Sequence, residues 1–130
     1  MKTLKMFSWL TTLMGALSGC SAADSAAIKR AGPDEFAQLM AGDKVVVLDV
    51  RTPGEFKGGH VKGAVNVDYL GTEFESKATA LDKTKTYLVY CAAGVRSAKA
   101  CNKLVKLGFG SLVDLKGGYG AWQGAGKPVE

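Results

Sequence analysis

Two stretches decide the fold: Val45-Val46-Val47-Leu48-Asp49-Val50 and Tyr87-Leu88-Val89-Tyr90-Cys91. Both are continuous runs rich in β-branched and aromatic residues, without the alternation of a strand that has one wet face. That is how strands buried on both sides of a parallel sheet read. Parallel neighbours need crossover connections, and helical spacing surrounds both runs. Pro33 suits a first helical position, and Phe36, Leu39 and Met40 follow at helical spacing until Ala41-Gly42-Asp43. Gly63 to Val67 reads as a short strand, Thr72 to Leu81 as a helix and Leu112 to Leu115 as a strand. Ser97 to Leu107 is predicted helical with Gly108 closing it, and a short helix from Tyr119 to Gln123 follows Gly117-Gly118. The expected class is α/β, an open sheet of mainly parallel strands with helices on both faces.

The chain has 130 residues, 47% of them hydrophobic and 22% charged, with 17 Gly and 3 Pro. This composition fits one domain and excludes a coiled coil, a disordered chain and a multidomain enzyme. The formal charge is 17 − 12 = +5, and it falls to 15 − 12 = +3 without Lys2 and Lys5. So small and scattered a surplus suits solubility or the attraction of small anions better than a nucleic-acid footprint.

Met1 to Cys20 reads as an address. Lys2 and Lys5 give a positive start, and Met6 to Leu17 is a stretch of twelve mostly apolar residues. As a helix it would span about 18 Å, short of the ~30 Å hydrocarbon core, which fits a secretory signal better than a transmembrane anchor. Leu17-Ser18-Gly19-Cys20 resembles the box at which bacterial lipoprotein signals are cut, leaving a lipid-bearing cysteine first. The plainer alternative is an ordinary signal that happens to end in Cys. The expected organisation is a signal peptide over 1–19, a lipidated Cys20 and tether over 20–27, and one domain over 28–130. That implies export and a lipid anchor at the periplasmic face of a bacterial membrane, with a soluble periplasmic protein as the alternative.

The chemistry concentrates in Cys91-Ala92-Ala93-Gly94-Val95-Arg96-Ser97. In parallel sheets ligands bind at the carboxyl ends of strands, and here a thiol sits between such an end and a helix start. First-turn amides carry partial positive charge, which favours thiolate. Gly94 lets the loop bend so that consecutive N–H groups converge on one point as an anion nest, and Arg96 adds a planar fork of donors. The bland reading is a buried strand-end Cys with a helix-capping loop. Thiol, glycine, arginine and helix start together favour catalysis.

These residues resemble the single-domain rhodaneses, thiosulfate-type sulfurtransferases whose loop is C-x-x-G-x-R-[ST]. Their upstream signature, D-V-R-x-x-x-E-[FY]-x-x-G-H-[IV]-x-G-A-x-N, is matched from Asp49 to Asn66, and their G-G-x-x-A-W-x-x-x-G-x-P from Gly117 to Pro128. Ala92 stands where many members have Arg. The resemblance implies a rhodanese-like fold and a Cys91 persulfide. It also implies substrate contacts from residues 92–97 (Ala92, Ala93, Gly94, Val95, Arg96 and Ser97), and no cofactor. Implied partners are a small anionic sulfur donor, a thiol or cyanide acceptor, and a sulfur-relay protein. A carrier or interaction module with little turnover of its own is the alternative. A Cys-dependent phosphatase or arsenate-reductase-like enzyme is disfavoured, because those loops place five residues between Cys and Arg and this one places four.

The remaining candidates carry structural readings beside functional ones. Arg51 and Glu55, four apart, are expected to pair and steady the loop after the first strand, and Asp49 to orient that loop or Arg96. His60 reads as structural rather than as a partner of a Cys–His nucleophile pair. Cys101, spaced with Ala98 and Val105, reads as core rather than as a resolving thiol. Two cysteines in an exported domain suggest a disulfide by default, but the setting of Cys91 argues against one. Trp122 reads as a core or lid aromatic. No grouping has metal-ligand spacing.

Overall fold

The computed structural model describes residues 28–130. The expected signal peptide, the expected lipidation site Cys20 and the expected tether lie outside the described residues. Five strands form one sheet: β1 (Ile28–Ala31), β2 (Val45–Asp49), β3 (Val65–Asn66), β4 (Thr86–Tyr90) and β5 (Leu112–Leu115), in the order β1-β5-β4-β2-β3. Every pairing between strands is parallel, with Val45–Asp49 opposite Thr86–Tyr90 in register. Helices α1 (Pro33–Leu39), α2 (Pro53–Lys57), α3 (Phe74–Thr79), α4 (Val95–Lys106) and α5 (Gly118–Gly124) provide the crossovers.

The period of two along each strand splits the core. On one face Leu48, Tyr87, Val89 and Leu112 pack with Phe74 of α3 and with Ala100, Cys101 and Leu104 of α4. On the other, Val47, Leu88, Tyr90, Val113 and Leu115 pack with Phe36 of α1 and Trp122 of α5. Helices therefore cover both faces, as the continuous apolar runs required. Trp122 is core: its ring meets Phe36 edge-on at 5.8 Å and its Nε1–H donates to the Pro128 carbonyl at 2.9 Å.

Several boundaries differ from the expectation. The sheet is wholly rather than mainly parallel. β1 was not expected, since this edge strand buries only Ala31 and carries no periodic signal. The unforeseen α2 is announced by Thr52-Pro53-Gly54-Glu55. Thr52 Oγ1 accepts the Glu55 N–H, Glu55 accepts the Thr52 N–H, and Pro53 needs no donor there. α3 is shorter than 72–81, β3 is two residues long, and α4 begins at Val95 rather than Ser97. Of Phe36, Leu39 and Met40, only Phe36 is fully buried.

Candidate active site

Tyr90 ends β4 and Cys91 follows it, where α3 and α4 cover the sheet. The chain then turns through Ala92 and Ala93 to Gly94, whose φ of 107° lies in the left-handed region that glycine occupies without strain. Gly94 caps α4 without a side chain, and no acid stands in the first turn, so the helix end has no capping group of its own. Cys91 takes that place. The Gly94 N–H donates to Sγ at 3.0 Å, and Ser97 Oγ lies 3.4 Å from Sγ. Burial opposes ionisation of this thiol, but the Ser97 hydroxyl and the N–H groups of Ser97, Gly94 and Ala93 outweigh it and hold Cys91 below the usual thiol range.

The loop is held from outside by the start of α5. Tyr119 N–H donates to the Cys91 carbonyl at 2.7 Å and Gly120 N–H to the Ala92 carbonyl at 3.2 Å. Such an approach requires glycine at 118. Its φ is +60°, and a Cβ there would fall 2.5 Å from the Cys91 oxygen and 2.7 Å from the Ala92 carbonyl.

The charged residues pair differently from the sequence expectation. Arg51 does not meet Glu55. It turns back to Asp49, two residues before it at the strand end, and Nη2 donates to Oδ2 at 2.7 Å and to the Gly59 carbonyl at 2.7 Å. Tyr90 Oη donates to the same Asp49 Oδ2 at 2.6 Å, so Asp49 holds Arg51 and β4 rather than Arg96. Glu55 instead grips Arg96 in a two-pronged pair, Nη1–Oε1 at 2.7 Å and Nη2–Oε2 at 3.0 Å. The Arg96 side chain is therefore only 22% exposed and its charge is offset, so the fork of donors expected to face a substrate is already engaged by Glu55. A spacing of four permits an ion pair on a helix, but Arg51 precedes α2 and lies outside it.

Val95 and Ala93 face solvent, while Ala92 and Gly94 are half-buried. His60 stacks on Phe56 at 3.7 Å, bonds the Phe56 carbonyl through Nδ1 and stands 3.4 Å from Glu130, so its ring ties α2 to the last residue of the chain. Cys101 is buried in the core and both described thiols are free. Sequence reasoning missed Asp114, whose Oδ1 accepts from Ser97 Oγ at 2.7 Å, and Tyr90 as the hydroxyl on Asp49. The signal for Asp114 was available: an acid in Leu112-Val113-Asp114-Leu115, a strand buried along its whole length.

The rhodanese-like domain model matches residues 32–125, and the chain belongs to that family. It is 36% identical over 102 residues to thiosulfate sulfurtransferase 16, chloroplastic, of Arabidopsis thaliana, covering 71% of this chain and 83% of that one. A sulfurtransferase of Allochromatium vinosum is 30% identical over 92 residues, covering 71% and 84%. The crystal structure of a rhodanese-related protein from Thermoplasma volcanium superposes with a TM-score of 0.70 at 32% identity, covering 78% and 97%.

Two outcomes follow from the site's geometry. Gly118→Ala forces a side chain into backbone and should cost about 1–3 kcal/mol in overpacking, before any left-handed strain. Denaturant unfolding should show that loss, and alkylation of Cys91 should slow as its loop is displaced. Glu55 is held down at about 2, first by its hydrogen bonds to Arg96. A carboxylate depressed on folding stabilises above its unfolded value, near 4.5, and that stability is lost as pH falls through its folded one. Unfolding curves of the protein and of Glu55→Gln should differ by about 1 kcal/mol near neutrality. The two curves should converge as pH drops from 4.5 towards 2.

Proposed function

We propose that the protein moves sulfane sulfur through a Cys91 persulfide, with thiosulfate as a donor it accepts. The Cys91 thiolate attacks the outer sulfur, the sulfur–sulfur bond of the donor breaks, and sulfite leaves with its electron pair. A thiophilic acceptor, cyanide or a thiol, then attacks the outer persulfide sulfur and the thiolate returns. The observation that carries this reading is Sγ placed as the cap of α4, with the Gly94 N–H at 3.0 Å. These dipoles are fixed before substrate arrives, so they stabilise thiolate and persulfide charge without reorganisation. No cofactor enters the reaction, because the transferred atom rides on the enzyme.

A phosphatase reading is weaker, because Arg96 is bound to Glu55 instead of facing an oxyanion above Sγ. A carrier that delivers sulfur to a protein is supported by the outer face of α4. Val95 is 65% exposed there, and Lys99, Lys103 and Lys106 follow at helical spacing. That face suits a relay protein with acidic residues around its acceptor thiol. The sequence before residue 28 supports export and lipid attachment at Cys20, with the domain at the periplasmic face of a membrane.

Treatment with thiosulfate should add one sulfur to the intact mass, removed by cyanide and absent in Cys91→Ser. Thiosulfate:cyanide turnover should exceed phosphatase turnover on a generic aryl phosphate; sulfur found on Cys101 would overturn the assignment. In a bacterial host, Cys20→Ala should leave an unprocessed precursor or release the protein from membranes. A processed and fully soluble parent protein would exclude the anchor.

A further inference from the structure

Behind the sulfur lies a buried chain of groups that sulfur transfer, as proposed above, does not use. Ser97 Oγ is 3.4 Å from Cys91 Sγ and 2.7 Å from Asp114 Oδ1. Cys91, Ser97 and Asp114 are all 1% exposed or less. Asp114 sits on β5 beside Arg30 of β1 and Val89 of β4 in register. The titratable and charged groups facing it are Arg30, whose Nε is 3.8 Å from Oδ2, Cys101 from α4, and Cys91 through Ser97. Arg30 is well exposed, so Asp114 lacks the close, buried cation that Asp49 has in Arg51.

Ser97 has one proton and two claimants. With Asp114 ionised, the hydroxyl donates to Oδ1 and offers Sγ only a lone pair, which suits a thiol and repels a thiolate. If the Cys91 proton escaped to water, two anions would share one buried hydroxyl, and one of them would go without a donor. A shift of protons along the chain avoids this and keeps the buried charge at one.

We propose that Asp114 is the internal proton acceptor for Cys91, acting through Ser97 as a positioning residue for the sulfur chemistry. When the thiolate forms, the S–H bond of Cys91 breaks and its proton passes to Ser97 Oγ. The Ser97 O–H bond breaks in turn and that proton passes to Asp114 Oδ1. Ser97 then donates to the thiolate, and the Asp114 carboxyl donates to Ser97. No electrons change hands, and the reverse shift restores the thiol. The directions of titration agree: burial is the main influence raising Asp114, against Ser97 and Arg30, while Cys91 is lowered. The two affinities are thereby drawn together, as sharing requires.

The inference rests on Cys91 being the reactive thiol, but its test needs no sulfur donor. The thiolate fraction is read as the rate of iodoacetamide alkylation at Cys91, located by peptide mass, across pH. The protonated carboxyl of Asp114 is read as the infrared band present in the parent protein and missing in Asp114→Asn. The expected result is overlap: the band persists at pH values where the thiolate is already present, and over that range the two fractions are equal. Ser97→Ala should separate them, with the carboxyl ionising fully first and Cys91 alkylation near neutrality falling about tenfold. If the carboxyl of the parent protein ionises completely before any thiolate appears, the relay is wrong. A purely structural Asp114 would lower the unfolding midpoint of Asp114→Asn and leave its alkylation profile unchanged, which also overturns the relay. Overlap without persulfide formation would instead sink the sulfur-transfer reading and leave the relay standing.

Discussion

The site depends on a backbone-to-backbone contact that leaves no space for a side chain. The first N–H groups of α5 hold the carbonyls of Cys91 and Ala92, and Gly118 lies where any Cβ would strike the Cys91 oxygen. Because those carbonyls are tied away from the sulfur, the N–H groups of the same loop are free to turn towards it. α5 also carries Trp122 into the core beneath the opposite face of the sheet. Packing on one face thus fixes the loop that carries Cys91 on the other.

The field at the sulfur comes from dipoles more than from formal charge. Arg51 is matched by Asp49 and Arg96 by Glu55, and Ala92 brings no charge. What remains at Sγ is the Gly94 N–H and the N–H groups of the first turn of α4. Neutral donors fixed by the fold are screened less by salt than a mobile side-chain cation and need no desolvation when substrate arrives. The Arg96–Glu55 pair joins α4 to α2, so its first effect is to hold two elements together.

Much of the fold was legible because burial on both sides leaves an unbroken apolar run, as in Val45–Asp49 and Tyr87–Tyr90. The Cys91 loop was legible because thiol, glycine and helix start follow one another in sequence. What escaped has physical reasons. β1 is a four-residue edge strand with a single buried side chain, so it has no period to read. α2 is five residues long and contains Gly54, and its signal lies in the capping box rather than in apolar spacing. The ion pairs escaped because spacing constrains only partners on one helix. Glu55 finds Arg96 forty-one residues away, through the topology of the sheet. Asp114 reaches Ser97 across a crossover in the same way.

Asp49 and Asp114 look alike in the chain, each an acid in an apolar strand, yet the fold gives them different work. The carboxylate of Asp49 takes donors from the Arg51 backbone and guanidinium and from Tyr90, so both oxygens are engaged and the group serves as an anchor. Among the described residues, Asp114 receives one hydroxyl on Oδ1, and Oδ2 has only an exposed guanidinium at 3.8 Å. A buried acid surrounded by donors gains nothing from a proton, whereas one with a single neutral donor gains a bond and loses a costly charge. The difference lies in what surrounds each carboxyl, which is why residue type alone separates neither anchor from relay.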